Sequence, residues 1–248
     1  MVKYCTLPAR CAALVGAFIL ASGPVIAEDE DARGLSGELS AGFVSASGNS
    51  ESRTTNFRAQ LLYESERFKH SLQGKTLQTR DEGETSVERY SAGYKADFNF
   101  TEHDFAFFSA DFEKDLFGGV RRRTSETVGY GRRLLKSDQH EWNVEIGAGM
   151  RQIKFQEPDG SSESEAIGSL ATDYAWQITE TSRFVQTLGV ESGSSNTSVD
   201  SETALQLSII GNLFASLSYT VQYNSEVASG IENTDTYTAV NLNYGFGS

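Results

Sequence analysis

Three histidines, His70, His103 and His140, are the only imidazoles in this chain of 248 residues, so any Ser–His or Cys–His catalytic set would have to draw on them. Carboxylates are more plentiful. Asp81, Glu82 and Glu84 form one group and Glu157, Asp159, Glu163 and Glu165 another, the ligand type that hard divalent cations take. Neither group has the spacing of a defined calcium loop, and each reads as a solvated acidic face, so no metal is expected. Gly147-Ala148-Gly149 is followed by no helix-forming segment and is therefore not a phosphate loop. Its glycines fit strands that curve or pack closely. Arg121-Arg122-Arg123 is the one basic cluster.

Both cysteines, Cys5 and Cys11, fall in a leader-like segment. Lys3 and Arg10 form its basic region, Cys11 to Ala21 its apolar run, and Val25-Ile26-Ala27 a small-residue cleavage site, so cleavage is expected after Ala27. A membrane anchor would need about 20 apolar residues, and Gly23-Pro24 interrupts this run too early. A lipid anchor at Cys11 fits poorly because the apolar stretch follows that residue. The mature chain then lacks thiols, which excludes a disulfide scaffold and any thiolate metal site. Losing Lys3 and Arg10 leaves 19 basic residues of the original 21 against 34 acidic ones, a net charge of −15 and a poor match to nucleic acid. Pro158 is the one proline left after the leader. With no apolar run long enough for a membrane helix, a long meander of uninterrupted strands is favoured.

Period-two segments rich in Thr, Tyr, Phe, Val and Gly recur from residue 36 onward. They predict twelve strands, at 36–47, 53–64, 68–79, 86–100, 105–116, 123–136, 141–155, 164–178, 183–193, 201–210, 213–225 and 235–246. Each has at least the roughly 9 to 11 residues that a tilted membrane strand needs. Their connections alternate. Short ones fall at Ser65–Arg67, Thr101–Asp104, Ser137–His140, Thr179–Ser182 and Gly211-Asn212; longer ones fall near 48–52, 80–85, 117–122, 156–163, 194–200 and 226–234. A soluble sandwich has no reason to alternate so regularly. A bacterial barrel does, with short periplasmic turns and longer extracellular loops. The expected organisation is a leader over 1–27, a short lead-in over 28–35 and one antiparallel transmembrane β-barrel over 36–248.

The parity of each strand then assigns its faces. Thr55, Phe57, Ala59, Leu61 and Tyr63 point to lipid on the second strand, and Tyr90, Ala92, Tyr94, Ala96 and Phe98 on the fourth. Trp142, Val144, Ile146, Ala148 and Met150 do so on the seventh, and Leu213, Ala215, Leu217, Tyr219, Val221 and Tyr223 on the eleventh. A cation on that face near the midplane costs about 2–4 kcal/mol, so a slip of one residue is prohibitive. Tyr63, Trp142, Trp176, Tyr223, Tyr244 and Phe246 lie toward strand ends, where aromatic girdles form. The other parity supplies lumen charges of both signs: Arg58, Lys75, Arg89, Lys95, Asp97, Asp111, Glu113, Glu145, Arg151, Asp173 and Glu191. Eight strands fill their own interior and 16 to 18 enclose an aqueous channel, so a twelve-stranded lumen lies between the two. The charges either pair and keep the interior polar or tune a narrow selective channel.

Within this frame His103 and His140 fall in short turns and His70 opens a strand close to the same end. Comparable barrel lipases and acyltransferases carry their catalytic histidine toward the outer leaflet, so no enzyme activity is expected. The arginine cluster falls on an outer loop, where it would contact anionic lipopolysaccharide or pair with acidic loops.

From Gly37 to Phe246 the chain resembles the YdiY-like family of salt-induced outer-membrane proteins, domain of unknown function 481. The resemblance rests on Ser47-Gly48-Asn49-Ser50, Glu88-Arg89-Tyr90 with Lys95 and Asp97, Glu113-Lys114-Asp115-Leu116-Phe117-Gly118-Gly119, and Gly129-Tyr130-Gly131-Arg132. It continues through Glu145 to Arg151, Ser201 to Leu205, Tyr223-Asn224-Ser225 and Thr234-Asp235-Thr236. It implies a monomer in the outer membrane, in contact with lipid and lipopolysaccharide. By the same resemblance the alternating Val240, Leu242, Tyr244 and Phe246 form the signal that the assembly machinery reads. Gly247-Ser248 trails that aromatic, and Met150 stands where an aromatic is common. No cofactor follows from it. The expected role is structural or in envelope stress, or that of a narrow channel for ions or small polar solutes. The alternatives are a barrel enzyme acting on lipids and a secreted soluble β-sandwich or lipocalin-like binder.

Overall fold

The computed structural model describes residues 34–46, 52–117, 120–156, 160–227 and 232–247. The expected leader, its cleavage point and the lead-in up to residue 33 lie outside the described residues, as do Ser47 to Ser50, Gly118-Gly119, Glu157 to Asp159 and residues 228–231. Twelve strands follow in order: β1 (Gly34–Ala46), β2 (Ser52–Glu64), β3 (Phe68–Asp81), β4 (Glu84–Asn99), β5 (Asp104–Asp115) and β6 (Val120–Lys136). The remaining six are β7 (His140–Phe155), β8 (Ser162–Thr179), β9 (Ser182–Ser192), β10 (Thr197–Ile210), β11 (Leu213–Asn224) and β12 (Thr234–Phe246).

Every strand is antiparallel to both neighbours, and β1 pairs with β12 to close the barrel. Pairing the first strand with the last removes the open edge along the seam, the condition for strands to cross hydrocarbon. The seam pairs Gly37–Gly42 with Asn241–Phe246, and the outward ring of Phe246 lies where a Cβ on Gly37 would be, within 2.5 Å. Strand ends differ most from expectation at the loop end, where strands run further than their polarity signals. β10 begins at Thr197 rather than 201, and β6 at Val120. The expected longer connection at 80–85 is instead a two-residue turn, Glu82-Gly83, both at positive φ (51° and 88°). That is the hairpin geometry that suits the twist of its flanking strands. Gly34 and Leu35, expected in the lead-in, belong to β1.

The wall is turned inside out relative to a soluble protein. Phe57, Leu61, Leu72, Ile146, Met150, Leu217 and Leu242 are all exposed on the outer face. Trp142, Trp176, Tyr223 and Tyr244 stand outward near the strand ends. Inside, the buried apolar residues are few. Val120, Ile153 and Phe155 cluster at the loop end, and Phe105 and Phe107 face inward near the turn end. Glycine makes room for that pair: a Cβ on Gly131 would lie within 2.8 Å of the Phe105 ring, and one on Gly147 3.0 Å from that of Phe107.

Candidate functional site

The lumen is crossed at three levels by side chains from strands far apart around the barrel. At the waist, Arg58 on β2 donates from both guanidinium tips to the two carboxylate oxygens of Glu202 on β10, at 3.0 and 2.6 Å. Lys75 on β3 stands 4.0 Å from the same carboxylate. Strands β2 and β10 are four positions apart in the ring, so this fork reaches across the interior. Arg58 and Lys75 nonetheless keep 36% and 41% of their side-chain surface open, which leaves solvent-accessible space inside the closed wall.

Toward the loop end Arg89 on β4 donates to Asp115 at 2.7 Å, to the Tyr237 hydroxyl at 2.6 Å and to Gln222, with Asp235 at 3.4 Å. Gln222 also donates to Asp200 at 2.6 Å, and Arg123 on β6 lies 3.4 Å from Glu113 and 3.7 Å from Asp200. Twelve strands spaced about 4.8 Å apart and tilted about 40° make a ring roughly 24 Å across. An arginine and a glutamine together reach much less than that. The bond from β4 to β11, nearly opposite walls, therefore requires an oval section here. Near the turn end Lys95 bonds Glu145, with Asp97 at 3.4 Å. Its ammonium stands over the rings of Phe107 and Phe105 at 5.2 and 5.4 Å, a cation–π position.

A different arrangement lines the wall from β7 to β10. Arg151 is wholly buried and donates to Glu165 at 2.6 and 3.2 Å, to Ser198 at 3.2 Å and to the carbonyl of Asn196, with Glu191 at 3.5 Å. Glu191 accepts from Ser125 at 3.0 Å, and Glu165 from the Ser195 amide at 2.7 Å. The 193–196 connection is thereby tied onto the barrel. Asn196 also accepts from Ser225 and from the amide of Glu226, each at 3.1 Å.

All eleven sequence-predicted lumen charges lie on the inward parity: Arg58 and Lys75 pair with Glu202, Arg89 with Asp115, Lys95 with Asp97 and Glu145, and Arg151 with Glu191. Glu113 pairs with Arg123, whereas Asp111 and Asp173 form no ion pair among the described residues. Sequence reasoning missed Glu202, Asp115, Arg123 and Glu165 as partners. Asp115 continues the inward phase of Asp111 and Glu113, so strict alternation would have found it. Arg123 and Glu165 stand at the first and second positions of the predicted sixth and eighth strands and were grouped with the basic cluster and the loop acids beside them rather than assigned a face. That corrects two expectations: Arg121 to Arg123 lie within β6, and Glu165 is a strand residue bonded to Arg151, not a solvated loop acid.

The histidines stay clear of the lumen tiers. His70 stacks with Tyr63, Phe68 and Tyr94 on the outer wall and bonds the Tyr94 hydroxyl at 2.8 Å. His140 does the same with Trp176 and Tyr174, bonding the latter at 2.9 Å. His103 sits in the exposed turn before β5.

The sequence model of the family described as "Protein of unknown function, DUF481" matches residues 39–246. The "Uncharacterized protein YdiY" of Escherichia coli (strain K12) is 34% identical over 209 residues, which cover 84% of this chain and 82% of that protein. Among solved structures the NanC porin superposes with a TM-score of 0.51 at 9% identity, covering 84% of this chain and 97% of its own. An outer membrane channel from Pseudomonas putida F1 gives 0.49 at 8% identity, over 91% and 99% of the two chains. At 9% identity the NanC likeness concerns the fold alone: this is a closed antiparallel transmembrane β-barrel of the outer-membrane porin kind.

Proposed function

The chain belongs to the family described as protein of unknown function DUF481, and from that premise we propose that it is an outer-membrane barrel whose lumen is a narrow, cation-preferring passage for ions. The observation that carries this reading is the Arg58–Glu202 fork: it crosses the lumen, yet Arg58 and Lys75 remain open to water there. A passage divided by such forks admits small ions and excludes solutes of sugar size. The preference for cations follows from acids left over after pairing. Glu38, Asp111 and Asp173 face inward without an ion-pair partner among the described residues, against Lys69 and Arg133 in the same state near the turn end, and charged rings of one sign select the opposite ion.

The barrel works as a monomer, enters the membrane through the assembly machinery that reads its last strand, and has no catalytic role. Its histidines stand outside the lumen, away from any nucleophile set within it. A second reading, a structural barrel with a closed interior, draws on the Arg89 tier, which ties nearly opposite walls. Conductance of the purified protein in a planar bilayer under a salt gradient separates the two. The channel reading expects small, steady conductance with a reversal potential on the cation side. A silent bilayer leaves the structural reading, and an anion-side potential overturns the stated preference.

A further inference from the structure

We propose that Lys114, Arg122 and Lys154, on the outer face at the loop end of β5, β6 and β7, form a binding row for the phosphate groups of lipopolysaccharide, a phosphorylated glycolipid. The inference rests on the reading above that the loop end lies in the outer leaflet. The register sets the row: Lys114 is the direct cross-strand partner of Arg122, and Arg122 of Lys154. Alternation turns the residues beside them, Glu113, Arg123 and Ile153, into the barrel. Like charges placed directly opposite destabilise a sheet, and these three have no ion-pair partner among the described residues. An external anion removes that repulsion.

Three adjacent strands put the cations about 10 Å apart end to end, the scale of a phosphorylated headgroup, and a guanidinium takes phosphate through two parallel bonds. Below the row the same strands present Phe112, Val128, Ile146 and Met150 to lipid, a surface for acyl chains. Among the described residues two outward acids stand near the row without forming an ion pair with it: Glu126, four residues down β6 and roughly 13 Å along the strand, and Glu88 on β4, diagonal to Lys114, which accepts from the Tyr90 hydroxyl at 2.8 Å. Arg53 and Arg80 repeat the pattern as direct outward neighbours on β2 and β3. At the turn end the outward Arg132 is instead matched by Asp104 at 3.3 Å.

The test measures binding of bis-phosphorylated lipid A and of fully dephosphorylated lipid A to the folded mature protein in detergent, by native mass spectrometry. Wild type is expected to bind the phosphorylated lipid about tenfold more tightly, equal to ~1.4 kcal/mol. The triple variant Lys114→Gln, Arg122→Gln, Lys154→Gln loses that difference, while Lys136→Gln at the turn end keeps it. Heat-dependent gel mobility verifies the fold of each variant, and Arg122→Gln alone replaces the triple if the triple does not fold. Equal wild-type affinity for the two lipids overturns the proposal, as does a folded variant that keeps the preference. A protein that conducts ions without discriminating the lipids removes this inference alone; one that discriminates them in a silent bilayer removes the channel reading alone.

Discussion

Two ion-pair systems in the same lumen rest on opposite balances. Around Arg151 the guanidinium has lost all contact with water and is held by Glu165, Glu191, Ser198 and a carbonyl. Around Glu202 the two cations keep more than a third of their surface wet. Removing a charge from water costs several kcal/mol, and only a full set of partners offsets it, so the Arg151 system is stable as a whole or not at all. The Glu202 system keeps solvent as a partner and tolerates rearrangement. One wall is therefore built for rigidity, and the other keeps solvent-accessible charge, where the proposed ion passage would run.

Breaking the dry system gives the largest expected effect. Arg151→Met leaves Glu165 and Glu191 without their buried cation and is expected to cost about 3–5 kcal/mol. The measurement is the temperature at which the fast-migrating folded band converts to the unfolded one on gels. No change in that temperature would mean that the 193–196 connection is held without Arg151. Gly131→Leu comes next, because a side chain there meets the Phe105 ring, and overpacking of this kind costs about 1–3 kcal/mol in denaturant unfolding.

Arg58→Ala addresses the wet system. A stability change under about 1 kcal/mol is expected, since solvent replaces the lost partner, while conductance rises as the fork across the waist opens. The freed Glu202 also strengthens the cation preference. Asp111→Asn should weaken that preference and leave thermal stability unchanged, because Asp111 has no ion-pair partner among the described residues. A conductance that ignores both substitutions would place the ion path elsewhere.

Much of this barrel was legible because period two fixes which residues share a face, and a slip of one residue would drive Arg58 or Lys95 into lipid. Strand number, closure and the inward set all follow from that. The loop ends of β6, β8 and β10 were not legible, since stretches such as Thr197 to Asp200 look like loop when both solvent and lumen can hydrate them. Nor were the partners. Arg58 and Glu202 are 144 residues apart in sequence, and their meeting depends on which strands face each other across the lumen. Pairwise register says nothing about that, because it is a property of the closed section and not of any hairpin.

The smallest effect is expected at His70, and it bears on the division between inner and outer wall. Its ring lies among Tyr63, Phe68 and Tyr94 with one bond to the Tyr94 hydroxyl, so His70→Phe keeps the stacking and loses only that bond. Substitutions of this kind stay within about 0.5 kcal/mol. Conductance and ion preference should not move, because the ring stands on the outer wall and faces away from the lumen. Loss of a lipid-modifying activity in this variant would instead show that the outer wall carries chemistry, since an imidazole stacked at the membrane interface reaches lipid headgroups and nothing in the lumen.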